Sequence, residues 1–499
     1  MSKFLEYDNY DALGLAQLVR NGDISPEELL SEARARLNKI HTQLNIATYL
    51  PDDLSIPSVG TQSKDSIFCG VPFLVKDLML PFKGMPLSNG TKAMRAFVSD
   101  ENSAMANRLN ECGLITFGKT TTSELGTLPL TKSMAFGNTL NPWNKKKNSG
   151  GSSGGSSVAV ASRVVPMAYS SDGGGSIRLP ASYCGIFGLK PSRGINPYED
   201  MSEAWGGAVV SHVSTISVRD SAAYLDCITG NCLNHYQINK PVSGSYLHHT
   251  LCSSQQLTIG LITESPVGTH VHPECIKAAE LAGQLCEKLG HRVLPAKWNF
   301  DGRELMRAFI AIVMHYTHQD VVNIAKLLEV DKDQLDIELN TRFMAVAGSG
   351  IKPEKLEQSF NIWKRACESL SALHQQFDVI LTPTVATPPL ESNALDPGII
   401  EKLIMKGIIA SGLGQRIVND KSLDMAIDKS LYVTPFTPIA NITGQPAMSV
   451  PLHWDHDGLP HGAHFMADIG NDGKLLMLAH QLEEICPWRG KLPVVNSCH

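Results

Sequence analysis

The chain has 499 residues, 43% of them hydrophobic and 18% charged, which is ample apolar material for a large core and excludes disorder as the main state. Its 41 glycines and 28 prolines are near ordinary usage, so collagen-like and low-complexity classes are excluded as well. A formal net charge of −6 is the wrong sign for a protein that lives on nucleic acid or an anionic membrane surface.

In chain order, the first element is a helix over 23–40. Ser25 stands as N-cap, Pro26 takes the first position, Glu28 follows three after the cap, and Leu29, Leu30, Ala33 and Leu37 fall at helical spacing. Residues 67–75 (IFCGVPFLV) predict a short buried strand that runs into Lys76 and Asp77. A helix over 103–112 stops at Gly113, and 114–117 (LITF) is the next buried strand. Helical character resumes at 158–161. Further helices are expected at 219–227 and 272–289, with a strand at 257–262 between them. Strands at 377–381 and 446–451 and a helix at 474–485 complete the alternation, with polar or Pro-rich surface loops at 386–398 and 454–463. At about 150 residues per domain the length alone would allow three domains. The unbroken alternation, without a long linker or internal repeat, favours one large α/β domain with a mixed, twisted sheet between helices. Within it, 1–65 is a helical region packing on a core of 66–499.

The eleven cysteines are odd in number and contain no CxxC, so they read as thiols of a reducing compartment and not as a disulfide framework. The N-terminus lacks the apolar run of a signal peptide, and no stretch approaches the roughly 20 apolar residues of a membrane span. The expectation is a cytoplasmic protein.

Residues 149–157 read SGGSSGGSS, which alone could equally be a flexible linker. Here the structure-forming run VAVASRVV follows at once. A second Gly-rich cluster, Asp172-Gly-Gly-Gly-Ser176-Ile-Arg178, lies just downstream. Glycines at 173–175 can turn successive backbone N–H groups toward one point, and Ser176 directly after them sits where an attacking oxygen needs an oxyanion site beside it. No histidine lies in these motifs. Lys76 is the candidate base, a role that requires its pKa to fall from about 10.4 through burial or neighbouring cations. The competing reading is an exposed lysine at a strand end.

GVPFLVKD (70–77), SGGSSGGS (149–156) and SDGGGSIRLPASYCGIFGLKPSRG (171–194) together resemble the signature of the amidase signature hydrolases. GKTTTSELG (118–126), GNTLNPWN (137–144), FDVILTPT (377–384) and NITGQPAMSVP (441–451) extend the likeness, which runs from about residue 10 to about 490. By that resemblance Ser176 is the nucleophile, Ser152, after a cis peptide bond from Gly151, is the bridging serine, and Lys76 is the base. The amides of Gly173, Gly174, Gly175 and Ser176 would bind the oxyanion, while Asp172 and Arg178 pair to support the loop. The implied reaction is hydrolysis of a linear or cyclic carboxamide C–N bond through an acyl-enzyme, on a small-molecule amide, with no metal and no organic cofactor. Gly126 and Met314 are expected to contact substrate. Family habit adds a homodimer, with no nucleic acid and no membrane as partner.

Two departures from the family pattern bear on substrate. The residue after Asp172 is commonly Ile, Val or Thr in the family and is Gly173 here, which points to a widened wall beside the oxyanion site. With the low charge of the core, that favours an apolar or uncharged carboxamide, an ω-amino chain included. The stretch GGAVVSHVSTISVRD (206–220) does not resemble the SLDQ-type segment of glutamyl-tRNA amidotransferase A subunits. It is more similar to bacterial amidases of the 6-aminohexanoate-cyclic-dimer hydrolase and aryl-acylamidase type. An amidotransferase A-type subunit acting with partner subunits, and a catalytically silent member, are the alternatives.

Readings from other classes are weaker. GLITFGKT (113–120) satisfies the P-loop pattern literally, but a helix precedes its first glycine and an apolar strand fills the loop, which inverts the required order. His315, His318 and Asp320, or His270, His272 and Glu274, have ligand-like spacing, though core or helix-surface histidines are the commoner outcome. His453, His456, His461 and His464 read as a surface cluster.

Overall fold

The structure, a computed structural model, describes Phe4 and residues 6–51, 63–196, 203–229, 244–412, 414, 418–493 and 495. Its strands are β1 (Ala47–Tyr49), β2 (Val71–Lys76), β3 (Leu114–Thr120), β4 (Lys132–Ser133), β5 (Gly137–Asn138), β6 (Met167–Asp172), β7 (Phe187–Lys190), β8 (Val210–Thr215), β9 (Thr258–Leu261), β10 (Arg292–Pro295), β11 (Val379–Pro383), β12 (Ala447–Trp454) and β13 (Pro460–Ala467). β4 and β5 pair with each other. The others form one 11-stranded sheet in the order β1-β3-β2-β6-β8-β7-β12-β13-β11-β9-β10. β3, β2 and β6 are mutually parallel, as are β11, β9 and β10, and the antiparallel run β6-β8-β7-β12-β13-β11 joins the two blocks.

Helices cover both faces, so the inner strands are buried along their whole length and read as apolar runs without alternation. Alternate residues nevertheless enter different cores. Phe73 and Val75 of β2 join one cluster with Leu15 and Ala16, whereas Leu74 joins another with Leu37, Ile115 and Phe117. The helices Ala12–Asn21 and Pro26–Leu44 thus cover opposite faces of the same strand. Ser25 caps the second through a reciprocal box with Glu28, whose carboxylate accepts the Ser25 N–H at 2.9 Å. Among the described residues no helix is long and apolar enough to cross a membrane.

The Gly/Ser run is no linker, in line with the structure-forming residues that follow it: it is buried throughout and feeds the helix Gly154–Ala161. A Cβ on Gly154 or Gly155 would come within 2.4 Å of Thr131 or Thr121, so the small residues serve close packing. The expected surface loop 454–463 gives up its second half to β13, which lies inside the sheet between β11 and β12. His453, His461 and His464 are accordingly buried, while His456 stays on the surface. The polar letters PHGAH hid this strand. Gly462 is what admits it, since a Cβ there would lie 2.2 Å from Ser449 Oγ.

Candidate active site

Lys76 ends β2 with no exposed surface. Its Nζ lies 2.7 Å from Ser152 Oγ and 3.0 Å from Ser171 Oγ, and 3.4 Å from the Ser171 carbonyl. Burial brings this ammonium down to about 7, against the opposing pull of the Asp172 carboxylate. An exposed strand-end lysine is therefore not what the fold makes of it. Near neutrality a large fraction of Lys76 is an amine able to accept a proton.

Ser152 is held just ahead of the helix Gly154–Ala161, and the Gly151–Ser152 peptide bond is cis. Thr131 Oγ1 donates to the Ser152 carbonyl at 3.3 Å and accepts from Gly154 N at 2.9 Å. Gly126 closes the other side: its φ is +70°, and a Cβ there would lie 3.3 Å from Ser152 Oγ. The structure thus brings Lys76, Ser152 and Gly126 together. Met314 is not placed with them by any of its contacts; it is half-buried on the helix Gly302–Leu327, where its carbonyl lies against Gly348.

The glycine loop leaves the end of β6 at Asp172, beside Lys76. Ser176 is half-buried, and its carbonyl accepts a hydrogen bond from Ser153 N at 3.2 Å, which ties the two serine segments to each other. Gly175 has φ +126°, a region that favours glycine, and its N–H donates to Asp172 Oδ1 at 2.7 Å. That amide is engaged within the loop. Thr437 Oγ1 donates to the Gly174 carbonyl at 2.7 Å and fixes the plane of the following peptide. The widened wall expected from Gly173 is not found. A Cβ there would lie 2.8 Å from the Trp205 ring, which takes the space instead.

Behind the loop, Asp172 and Arg178 form a fully buried pair with Nη2 to Oδ1 at 2.9 Å. Burial by itself would raise the Asp172 carboxyl. The Arg178 guanidinium, with hydrogen bonds from Arg178, Asn441 and Ile177 N, holds it well below the usual carboxylate range instead. Asn441 Nδ2 donates to the Asp172 carbonyl at 2.8 Å and to Oδ1 at 2.9 Å, while its Oδ1 accepts from Arg178 Nη2 at 2.6 Å. His464 Nε2 accepts from Arg178 Nη1 at 2.9 Å, so its Nδ1–H faces Thr382 Oγ1 at 3.1 Å. Burial, then Arg178, holds that imidazole neutral. A buried ion pair with its remaining donors and acceptors satisfied is a rigid support.

Ser171 and Asn441 stand in motifs of the family resemblance without a role there, nothing in the sequence marks Thr437, and His464 reads as surface until β13 is placed. Of the ligand-like histidines, His315 Nε2 meets Gln319 Nε2 at 2.9 Å on the same helix.

Comparison with known proteins agrees with this architecture. Residues 28–476 match the family model described as Amidase. The 6-aminohexanoate-cyclic-dimer hydrolase of Pseudomonas sp. (strain NK87) is 30% identical over 496 residues, covering 97% of this chain and 96% of that protein. A solved 6-aminohexanoate cyclic dimer hydrolase complexed with substrate superposes with a TM-score of 0.88 at 28% identity, covering 99% of this chain and 100% of the other. A bacterial aryl acylamidase shares the fold, with a TM-score of 0.81 at 22% identity over 96% of each chain.

Proposed function

The chain belongs to the amidase family of hydrolases, and we propose that it cleaves the C–N bond of a small linear or cyclic carboxamide through an acyl-enzyme on Ser176. The observation that carries this reading is the buried Lys76 amine, brought down to about 7 and 2.7 Å from Ser152 Oγ. Neutral Lys76 takes the Ser152 proton while Ser152 Oγ takes that of Ser176, and Ser176 Oγ forms its bond to the amide carbon. The carbonyl oxygen becomes an oxyanion that the N–H groups of Gly173, Gly174 and Ser176 receive, the Gly175 N–H of the expected set being engaged by Asp172 Oδ1 at 2.7 Å. Collapse of this intermediate breaks the C–N bond. The proton returns from Lys76 through Ser152 to the departing amine. Water then attacks the Ser176 ester, giving up a proton to the same relay, which returns it to Ser176 Oγ as the ester bond breaks and the carboxylic acid leaves.

In this scheme Asp172, Arg178, Asn441 and His464 position the loop and touch no reacting atom. The similarity to 6-aminohexanoate-cyclic-dimer hydrolases makes uncharged cyclic and ω-amino amides the first substrates to screen.

Intact mass after exposure to a small fluorophosphonate tests the nucleophile. One adduct on the wild type, absent in Ser176→Ala, is expected, together with a loss of amide turnover of about a thousandfold or more in the variant. Equal labelling of both proteins would mean another serine is the activated one. An unlabelled wild type would count against an assembled triad.

A further inference from the structure

We infer that Trp205 is the acyl-side wall of the substrate cleft and selects amides whose acyl group is apolar and several carbons long; this rests on the hydrolase reading above. The side of the cleft follows from the sheet. β6, which delivers the glycine loop, has β2 on one flank and β8 on the other. Lys76 and Ser152 stand on the β2 flank, and the departing amine must lie there because its proton comes from them. The acyl group of a carbonyl held at the glycine amides is left with the β8 flank. Val210, the first residue of β8, pairs with Asp172 across the ladder, and Trp205 lies five residues before it.

Trp205 is also packed against the glycine loop. Its Cζ3 and Cε3 lie 2.8 and 2.9 Å from where a Gly173 Cβ would be, so only glycine at 173 lets the indole approach this closely. Phe309, nearly buried, sits behind it edge-on at 6.3 Å between centroids, with its Cζ 3.2 Å from the Cβ position of Gly174. The backbone commits to this placement. Trp205 itself has φ +51° and Gly206 has φ +65°, and a Cβ on Gly206 would strike Phe360 at 2.6 Å. The indole remains half-exposed while the groups behind it are packed. A flat apolar surface left open beside polar amides covers the alkyl or aryl part of a ligand whose carbonyl those amides bind.

The test compares acetyl-, hexanoyl- and benzoyl-4-nitroanilide, then hexanamide, in which the acyl group is kept and the amine changed. Trp205→Ala should lower kcat/KM for the hexanoyl and benzoyl anilides by roughly tenfold or more, mainly through KM, and change acetyl by less than about threefold. Hexanamide should lose as much as the hexanoyl anilide, and Trp205→Phe should restore most of the loss. Equal losses for acetyl and hexanoyl, or a change that follows the amine and not the acyl group, would overturn the assignment. Should Trp205→Ala not fold, Trp205→Leu, which removes the flat ring, carries the same comparison, with Trp205→Phe as the variant expected to stay near wild type. Fluorophosphonate labelling of Ser176 is read in parallel. No adduct on the wild type overturns the hydrolase reading and the wall with it, whereas full labelling with an unchanged hexanoyl-to-acetyl ratio overturns the wall alone.

Discussion

β2 and β3 run parallel and adjacent, with Val75 opposite Lys119 and Lys76 opposite Thr120, and each strand carries a wholly buried lysine at its C-terminal end. Burial lowers both, Lys76 to about 7 and Lys119 to about 8. Their partners differ. Lys119 Nζ donates to the Leu80 carbonyl at 2.7 Å and lies 5.6 Å from the centre of the Phe82 ring, whereas Lys76 Nζ faces the hydroxyls of Ser152 and Ser171. A carbonyl has no proton to give, so the Lys119 amine is confined to a structural bond. A hydroxyl can give one and take another. Low dielectric makes a lysine available as a base, and the atom opposite it decides whether there is anything to deprotonate.

The contrast can be broken most severely at Lys76. Lys76→Ala should reduce turnover by about a thousandfold or more with the fold retained, while Lys119→Met stays within about threefold in kcat, measured side by side on one amide. An active Lys76→Ala enzyme would remove the base from the scheme. Next comes the support. Asp172→Asn leaves Arg178 charged, buried and unpaired, and should cost about 3–5 kcal/mol in denaturant unfolding. It also removes the carboxylate that opposes the lowering of Lys76. In whatever folded enzyme remains, the acid limb of kcat/KM should therefore move to lower pH; an upward move would contradict the electrostatic account.

Gly126→Ala should turn Lys76 partway toward the situation of Lys119. The new methyl presses on Ser152 Oγ from 3.3 Å at a residue with φ +70°, and roughly a tenfold loss of kcat is expected, read by steady-state kinetics. The smallest effects concern pH. In the wild type the acid limb should lie near 7, activity falling below it as Lys76 becomes protonated. Lys119 enters through stability. Its value of about 8 lies below the ordinary 10.5, so between those limits the unfolded chain binds more protons and stability rises with pH. The penalty is complete below about 8 and absent above about 10.5. Lys119→Met should remove that part of the slope in unfolding curves taken from pH 8 to 10.5, and an unchanged slope would mean that Lys119 is not the buried cation responsible.

Much of this organisation was legible in the letters because it rests on local rules. The capping box at Ser25, the apolar runs of β2 and β3 and the helix before Gly113 depend on neighbours within a few residues. So does the glycine cluster before Ser176, since a need for backbone freedom leaves a mark at the position that has it. Errors fell where a residue's role depends on what approaches from far along the chain. β13 reads as a polar loop until β11 and β12 are placed on either side of it, and with them His464 moves from the surface to the back of Arg178. Gly173 reads as added space until Trp205 enters it.

Pattern in the letters was enough for the fold class, for Lys76 at a strand end and for Ser176 behind its glycines, because covalent neighbours and glycine placement encode strand ends and tight loops; Ser152 of the proposed relay came from the family resemblance. It took the folded chain to show that Lys76 faces hydroxyls and Lys119 a carbonyl, that His464 lies behind Arg178, and that Trp205 fills the space beside Gly173. Those outcomes turn on desolvation and on contacts between segments separated by tens to hundreds of residues, and such contacts have no local signature in the chain.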